Sequence, residues 1–269
     1  MSEMCFLNGE LVPLESARID PRDRGFLLGD GLFETLLCHQ GEILWLEEHL
    51  GRLQDSAAVL KIPLPIGFDQ LAAQMRQFYA QSQLPVAALR ITLTRGVSES
   101  RRLWPASDLS STLFARLSVT SPSRVAEPAA LVTVKSSRRD SESPLHRIKS
   151  LNYGAAILAR IEAEAAGGDD ALLLNQAGAI ACTSVGNIFV RLGGEWVTPP
   201  ESTGILAGLA RSRLITLLNA REATIPSLSL GNLAQGLVCN SLQLTPLARL
   251  DGRWLEPISL DPLAERLYS

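Results

Sequence analysis

Ser121-Pro-Ser-Arg-Val-Ala-Glu-Pro128 is the stretch that decides how this chain is divided. Proline fixes φ and removes a backbone donor, and serine offers the backbone competing local hydrogen bonds, so this cluster interrupts regular structure. Apolar, strand-like runs flank it, Thr112–Val119 before and Ala129–Lys135 after. Residues 121–128 therefore read as a linker. It separates an N-terminal α+β domain, 1–120, from a C-terminal α+β domain, 129–269. A length of 269 residues suits two domains of ordinary size. A cleft between two such domains is a natural place for a ligand.

Working outward from the linker, the first half reads as strands around two helices. Met4–Leu7, the turn Asn8-Gly9 and Glu10–Pro13 form a hairpin pattern. A polar loop, Asp20–Gly31, leads into a strand at Leu32–His39, and Gln40-Gly41 turns the chain into Glu42–Trp45. Leu46, Leu50, Leu53, Ala57 and Leu60 recur at helical spacing and predict a helix over Leu46–Leu60. A second helix fits Phe68–Gln81, and Ala87–Thr94 is strand-like. In the second half a helix fits Leu151–Ala166, stopped by Gly167-Gly168. Short apolar runs follow at Ala171–Leu174, Ala179–Ser184 and Asn187–Arg191, then a helix at Leu206–Ala220 and strands at Gly236–Leu242 and Leu247–Leu250.

Composition narrows the function. Apolar residues make up 46% and charged residues 20%, a globular balance that excludes a disordered or fibrous chain. A formal net charge of −3 gives no electrostatic footprint for nucleic acid. No apolar run reaches the length of a membrane span, and no basic-then-apolar leader opens the chain, so neither a membrane nor secretion is expected. Cys5, Cys38, Cys182 and Cys239 are scattered and form no CxxC pair, which reads as reduced thiols in the cytoplasm. With only His39, His49 and His146 to join them, no metal site is expected.

Only three of the 25 basic side chains are lysines. Lys61 reads as an end-of-helix charge and Lys135 as a strand terminus, whereas Lys149 precedes a helix in His146-Arg-Ile-Lys-Ser-Leu-Asn-Tyr153. A lysine in a partly desolvated cleft keeps a neutral amine and can form a Schiff base. Arg52 lies three residues after His49, on the same helical face, and a planar guanidinium suits either a phosphate or simply the surface. Ser202-Thr-Gly-Ile-Leu-Ala-Gly-Leu-Ala210 is a small-residue turn entering a helix, an arrangement that offers free N–H groups to a phosphate. Lysine, arginine and turn together make the minimal kit for pyridoxal phosphate.

Seven ordered segments carry a resemblance. They are Asp23-Arg-Gly25 with Gly29-Asp-Gly-Leu-Phe-Glu-Thr35, His49-Leu-Gly-Arg-Leu53, Ile148-Lys-Ser-Leu-Asn-Tyr153, Gly186-Asn-Ile-Phe189, Thr198-Pro-Pro200, Gly204-Ile-Leu-Ala-Gly208 and Cys239-Asn-Ser-Leu242. At this spacing, nearly end to end, the chain resembles the class IV aminotransferase family of fold-type IV pyridoxal-phosphate enzymes. The resemblance implies a two-domain α+β homodimer of the D-amino-acid aminotransferase type, with the cofactor in the cleft between domains. It implies Lys149 as the Schiff-base lysine and Arg52 as a phosphate ligand. It also implies backbone contacts to the phosphate at Leu209 and Ala210, with Asn240 or Ser241 nearby.

Two positions depart from the family pattern. The glutamate that faces the pyridine nitrogen falls at Cys182, five residues before Asn187, and a phosphate-binding threonine falls at Ala210. Within the family, Cys239-Asn-Ser-Leu242, the Arg95-Gly96 loop with Arg101-Arg102-Leu103, and Phe33 in place of a substrate-facing tyrosine resemble the 4-amino-4-deoxychorismate lyases. The expectation is a small-molecule lyase giving 4-aminobenzoate and pyruvate for folate synthesis, with Phe33 and Arg101 or Arg102 toward the substrate. D- or branched-chain amino-acid transamination is the alternative, and a degenerate cofactor-binding relative the remaining one.

Overall fold

A computed structural model describes residues 3–99, 102–104 and 109–268. The chain forms two compact units. One comprises Met1–Pro122 with Ile148–Asn152, the other Ser123–Arg147 with Tyr153–Ser269. The strip Ile148–Asn152 thus interrupts the 129–269 stretch read as one domain from the sequence. Among the described residues, no helix is long and apolar enough to cross a membrane.

The first unit contains β1 (Met4–Leu7), β2 (Glu10–Pro13), α1 (Arg24–Leu28), β3 (Gly31–His39), β4 (Glu42–Ile43), α2 (Leu46–Leu60), α3 (Phe68–Ser82), β5 (Val86–Thr94) and β6 (Thr112–Val119). Its six-stranded sheet runs β2-β1-β6-β5-β3-β4. Alternation sorts β3 into two faces. Leu32, Leu36 and Cys38 join Leu46, Leu50 and Leu53 of α2 and Leu71 and Met75 of α3 in one buried cluster. Glu34 lies on that same inward-facing set of β3. Asp20–Gly31, read as a loop, contains α1. Asp23 caps it by accepting the Gly25 N–H at 2.7 Å and also accepts the hydroxyls of Thr94 and Thr112, each at 2.8 Å.

The strip 148–152 is tied to β3 by one isolated bridge and its flanking hydrogen bonds. Ser150 bridges Leu32, the Phe33 N–H donates to the Lys149 carbonyl at 2.9 Å, and the Leu151 N–H donates to the Gly31 carbonyl at 2.9 Å. Those bonds tie Leu151 to β3, and the helix expected from Leu151 begins only at Gly154.

The second unit contains β7 (Ala129–Arg139), α4 (Pro144–Arg147), α5 (Gly154–Ala165), β8 (Asp170–Asn175), β9 (Ile180–Thr183), β10 (Asn187–Leu192), β11 (Glu195–Thr198), α6 (Leu209–Leu218), β12 (Arg221–Glu222), β13 (Gly236–Cys239), β14 (Leu244–Leu250), β15 (Arg253–Trp254) and α7 (Asp261–Leu267). The nine-stranded sheet runs β12-β11-β10-β13-β14-β7-β8-β9, with β15 on β14. Because β9 also pairs β10, at Cys182 and Asn187, the strands from β10 round to β9 close into a ring. Leu172 and Leu174 of β8 join one cluster with Ile188 and Val238, while Ala171 and Leu173 pack with Ala159 and Ala163 of α5. Every residue of β8 is buried, as a strand covered on both faces should be.

Lys135 is not a strand terminus. The register of β7 shifts between Thr133 and Arg138, where the Glu162 carboxylate accepts the Lys135 and Ser136 N–H groups at 2.9 and 2.8 Å, and pairing with β8 then resumes. The helix expected over Leu206–Ala220 shortens to Leu209–Leu218, because Gly208 is extended and serves as its N-cap.

Candidate active site

A carboxylate in an apolar layer needs partners, and α2 supplies them. Glu34, 1% exposed, accepts from Arg52 Nε at 2.8 Å and Arg52 Nη2 at 2.7 Å, and pairs with His49 Nδ1 at 2.7 Å. His49 and Arg52, three apart on the helix, meet one residue of the facing strand. Burial works against the Glu34 charge, but the bonds from His49 and Arg52 prevail and bring its pKa down to about 2. Burial pushes the His49 pKa below its ordinary value, so the ring is neutral. An ionised Glu34 can only accept, which assigns the proton to Nδ1. His49 Nε2 is buried with no hydrogen-bond partner among the described residues. Arg52 thus presents a charge whose orientation is set by a two-bond fork.

The other face of β3 carries the lysine. Phe33 is 4% exposed, with Lys149 Nζ 4.2 Å and the Arg90 guanidinium carbon 3.8 Å from its ring centroid. Lys149 sits opposite Phe33 because Ser150 pairs with Leu32. Burial lowers the Lys149 pKa from the ordinary 10.5 to about 8; Glu34 opposes the shift, while Arg52 and Arg90 add to it. A substantial neutral fraction near pH 8 makes this amine a nucleophile and a base.

The first unit therefore brings together Lys149, Arg52 and Phe33, all singled out from the sequence, and adds Glu34 and Arg90, which were not. Arg90 lies on a strand, and its only signal was a charge within Ala87–Thr94. Arg102 is exposed, and its carbonyl is held by Arg24 at 3.1 Å. Arg101 lies outside the described residues.

In the second unit, Cys182 and Cys239 are both cross-strand partners of Asn187. Asn187 Nδ2 donates to the Leu206 carbonyl at 3.0 Å. A Cβ on Gly208 would lie 2.1 Å from Asn187 Oδ1, so any larger residue at the head of α6 would have to displace the Asn187 amide. Leu209 and Ala210 open α6, and no side chain caps its first turn. Asn240 Oδ1 accepts the Leu242 and Gln243 N–H groups at 2.9 and 3.2 Å, which makes 240–243 a tight turn that also contains Ser241. Cys182 is buried. Burial raises its pKa against the charge of Arg139, and Asp170 adds to the rise, so the thiol is neutral.

Comparison with known proteins follows the same lines. The family model for amino-transferase class IV matches residues 31–250, so the chain belongs to the class IV aminotransferase family. It is 30% identical to a candidate branched-chain-amino-acid aminotransferase of Methanocaldococcus jannaschii, covering 97% of this chain and 93% of that one. A candidate 4-amino-4-deoxychorismate lyase of Legionella pneumophila subsp. pneumophila strain Philadelphia 1 superposes with a TM-score of 0.84 at 29% identity, covering 94% of both chains. The branched-chain amino acid aminotransferase of T.th., complexed with N-(5'-phosphopyridoxyl)-L-glutamate, shares the fold with a TM-score of 0.88 at 22% identity, covering 100% of this chain and 92% of that one.

The family's enzymes use pyridoxal phosphate, and the residues here fit that group. Within the first unit Lys149 offers an amine of lowered basicity and Arg52 a fixed cation; within the second, the head of α6 offers N–H groups that no side chain caps.

Two outcomes follow from this geometry. Glu34→Gln should cost about 3 kcal/mol or more, because it removes the carboxylate that forks onto the largely buried Arg52 charge. Since the wild-type carboxylate stays ionised until about pH 2, the deficit should persist across the neutral range in urea unfolding. A deficit below about 0.5 kcal/mol, the scale of an ordinary surface change, would remove Glu34 from its place as anchor.

Lys149 has the opposite sign. Its folded pKa of about 8 lies below the ordinary 10.5, so between those values the unfolded chain binds more protons and native stability rises with pH. Cofactor-free Lys149→Met should therefore melt higher than wild type below pH 8, with the gap closing towards pH 10.5. A gap independent of pH would show that the amine is not desolvated.

Proposed function

We propose that this protein is a pyridoxal-phosphate lyase that converts 4-amino-4-deoxychorismate to 4-aminobenzoate and pyruvate, a step of folate synthesis. The observation that carries the choice within the family is the neutral, buried Cys182 at the position the resemblance sets against the cofactor's pyridine nitrogen. A thiol is a weak donor or acceptor and cannot hold that nitrogen protonated as a carboxylate does. Transamination leans on a strongly electron-withdrawing ring. An elimination whose product is aromatic has its own driving force. The likeness of Cys239-Asn-Ser-Leu242 to lyases, and the Legionella pneumophila chain at 29% identity, support the same reading.

When bound, the cofactor supplies an electron sink conjugated to the amine-bearing carbon of the substrate. Arg52 would hold its phosphate, and the resemblance gives the backbone N–H groups of Leu209 and Ala210 and the turn at Asn240 and Ser241 as the groups that would add further contacts. The neutral Lys149 amine takes the proton from the amine-bearing carbon. The bond from the ring to the enolpyruvyl oxygen breaks, the ring becomes aromatic, and Lys149 returns the proton to the departing enolpyruvate, which becomes pyruvate. The substrate carries two carboxylates. Arg90, fixed over Phe33, would hold one, and Arg101 or Arg102 the other.

The protein acts as a homodimer in the cytoplasm. Phe26 and Leu27, 74% and 59% exposed on α1, support an assembly face, and four buried, unpaired cysteines support a reducing compartment. A second reading, transamination of branched-chain or D-amino acids, has the Methanocaldococcus jannaschii relative in its favour.

The purified protein, given chorismate, glutamine and an aminodeoxychorismate synthase, should release 4-aminobenzoate that does not form without it. A parallel assay should find amino-acid transamination slower by at least about tenfold; the reverse order would establish the second reading. Borohydride should fix the cofactor to Lys149, not to Lys61 or Lys135.

Arg90→Ala should raise KM about tenfold or more, the scale of one charge-assisted bond, with the cofactor still bound. An unchanged KM would remove Arg90 from the substrate contacts.

A further inference from the structure

Arg24 is an arginine that a fold has reason to avoid burying. It is 4% exposed, at the first position of α1, and its side chain reaches away from the helix to three acceptors. Nε donates to Asp30 Oδ2 at 2.8 Å, Nη1 to the Arg102 carbonyl at 3.1 Å and Nη2 to the Leu103 carbonyl at 2.9 Å. The charge is balanced inside the unit. Asp30 also accepts from Arg95 Nε at 2.8 Å and Nη2 at 3.1 Å, and Arg95 in turn donates to the Lys61 and Leu60 carbonyls at 2.9 and 2.7 Å. Asp23, 1% exposed, precedes Arg24 in sequence and is satisfied by its own donors. The Arg24 N–H donates to the Gly96 carbonyl at 2.9 Å, and Asp23 bridges Val97.

The contrast is with what Arg24 holds. Arg102 is exposed, Leu103 is 82% exposed and Trp104 is 81% exposed. In this exposed stretch two successive carbonyls are tied to one guanidinium that is itself anchored by an ion pair. A guanidinium fork spans adjacent carbonyls in a way a single ammonium cannot. Burying a charge is costly unless it is paired and hydrogen-bonded, and here every bond of that pairing leads to this segment or to the base of α2.

We propose that Arg24 is a positioning residue that latches the Arg102–Leu103 backbone, so that the side chain of Arg102 is offered to substrate from a fixed place rather than from a swinging loop. The proposal rests on the reading of Arg102 as a candidate carboxylate ligand. Arg24 itself touches no reacting atom. Its effect is on how much of the Arg102 contact survives the entropy of ordering the loop.

The latch can be tested by trypsin on the intact holoenzyme, because the bond trypsin would cut after Arg102 has its carbonyl in the grip of Arg24. In wild type, cleavage at Arg102–Leu103, followed by mass spectrometry, should be slower than in a synthetic peptide of residues 95–110 by about tenfold or more. Arg24→Lys keeps a charge for Asp30 but loses the fork, and should be cut about tenfold faster than wild type at this bond. The same variant should show a KM raised several-fold for whichever substrate the enzyme turns over, with kcat and cofactor absorbance near wild type. A folded Arg24→Lys protein cut at the wild-type rate overturns the latch. If that variant does not fold, the wild-type comparison decides alone, and a native protein cut as fast as the peptide overturns it. Faster cleavage with KM unchanged overturns the positioning role. Because cleavage does not depend on which reaction the enzyme performs, failure of the lyase reading leaves that arm intact.

Discussion

The Glu34 carboxylate, gripped by Arg52 and His49 between a strand and a helix, is the interaction on which the site depends. Without it, α2 would bring a guanidinium and an imidazole to an apolar layer with no carboxylate to meet them, at a high cost in free energy. With it, three polar side chains enter an otherwise apolar core, and Arg52 is clamped by a two-bond fork. Rigidity matters because a flexible arginine spends conformational entropy each time it orders around an anion, whereas one already clamped does not.

The same strand serves a second purpose through its pleat. Glu34 points into the core layer, and Phe33, one residue earlier, points to the other face, where Lys149 and Arg90 approach its ring. A one-residue slip of β3 would exchange the two faces at once. Structural anchor and reactive surface are thus coupled by backbone geometry, and the register of β3 against β5, continuous from Gly31–Thr94 to His39–Val86, keeps them apart.

Much of this organisation is local and was legible in the residues. The apolar spacing of Leu46, Leu50, Leu53 and Ala57 marks α2 because helical periodicity is written within a few turns. The scarcity of lysine singles out Lys149, and the spacing of His49 and Arg52 places them on one face. What that face meets was not legible. Glu34 looks like one more polar residue in a strand, and its partnership with Arg52 depends on how β3 packs against α2. The pairing of Ser150 with Leu32 joins residues more than a hundred apart, so helical propensity near Leu151 read too far upstream. Arg24 and Arg95 were visible within motifs, but their roles lie in carbonyls and a carboxylate that only the folded chain assembles.

The ring of strands in the second unit has a consequence for the order in which the unit can form. Its seam at Cys182 and Asn187 joins residues almost adjacent in the chain, and β8 meets β9 across a short turn. The parallel pairing of β7 with β14, by contrast, brings Leu131 against Leu250. A chain emerging residue by residue can make the first contacts early, but β7 waits for nearly the whole remaining sequence before its second neighbour exists. During synthesis, one side of β7 is thus an open hydrogen-bonding edge for longer than any other strand in the ring, and that interval is when the nascent protein is most exposed to pairing with the wrong partner.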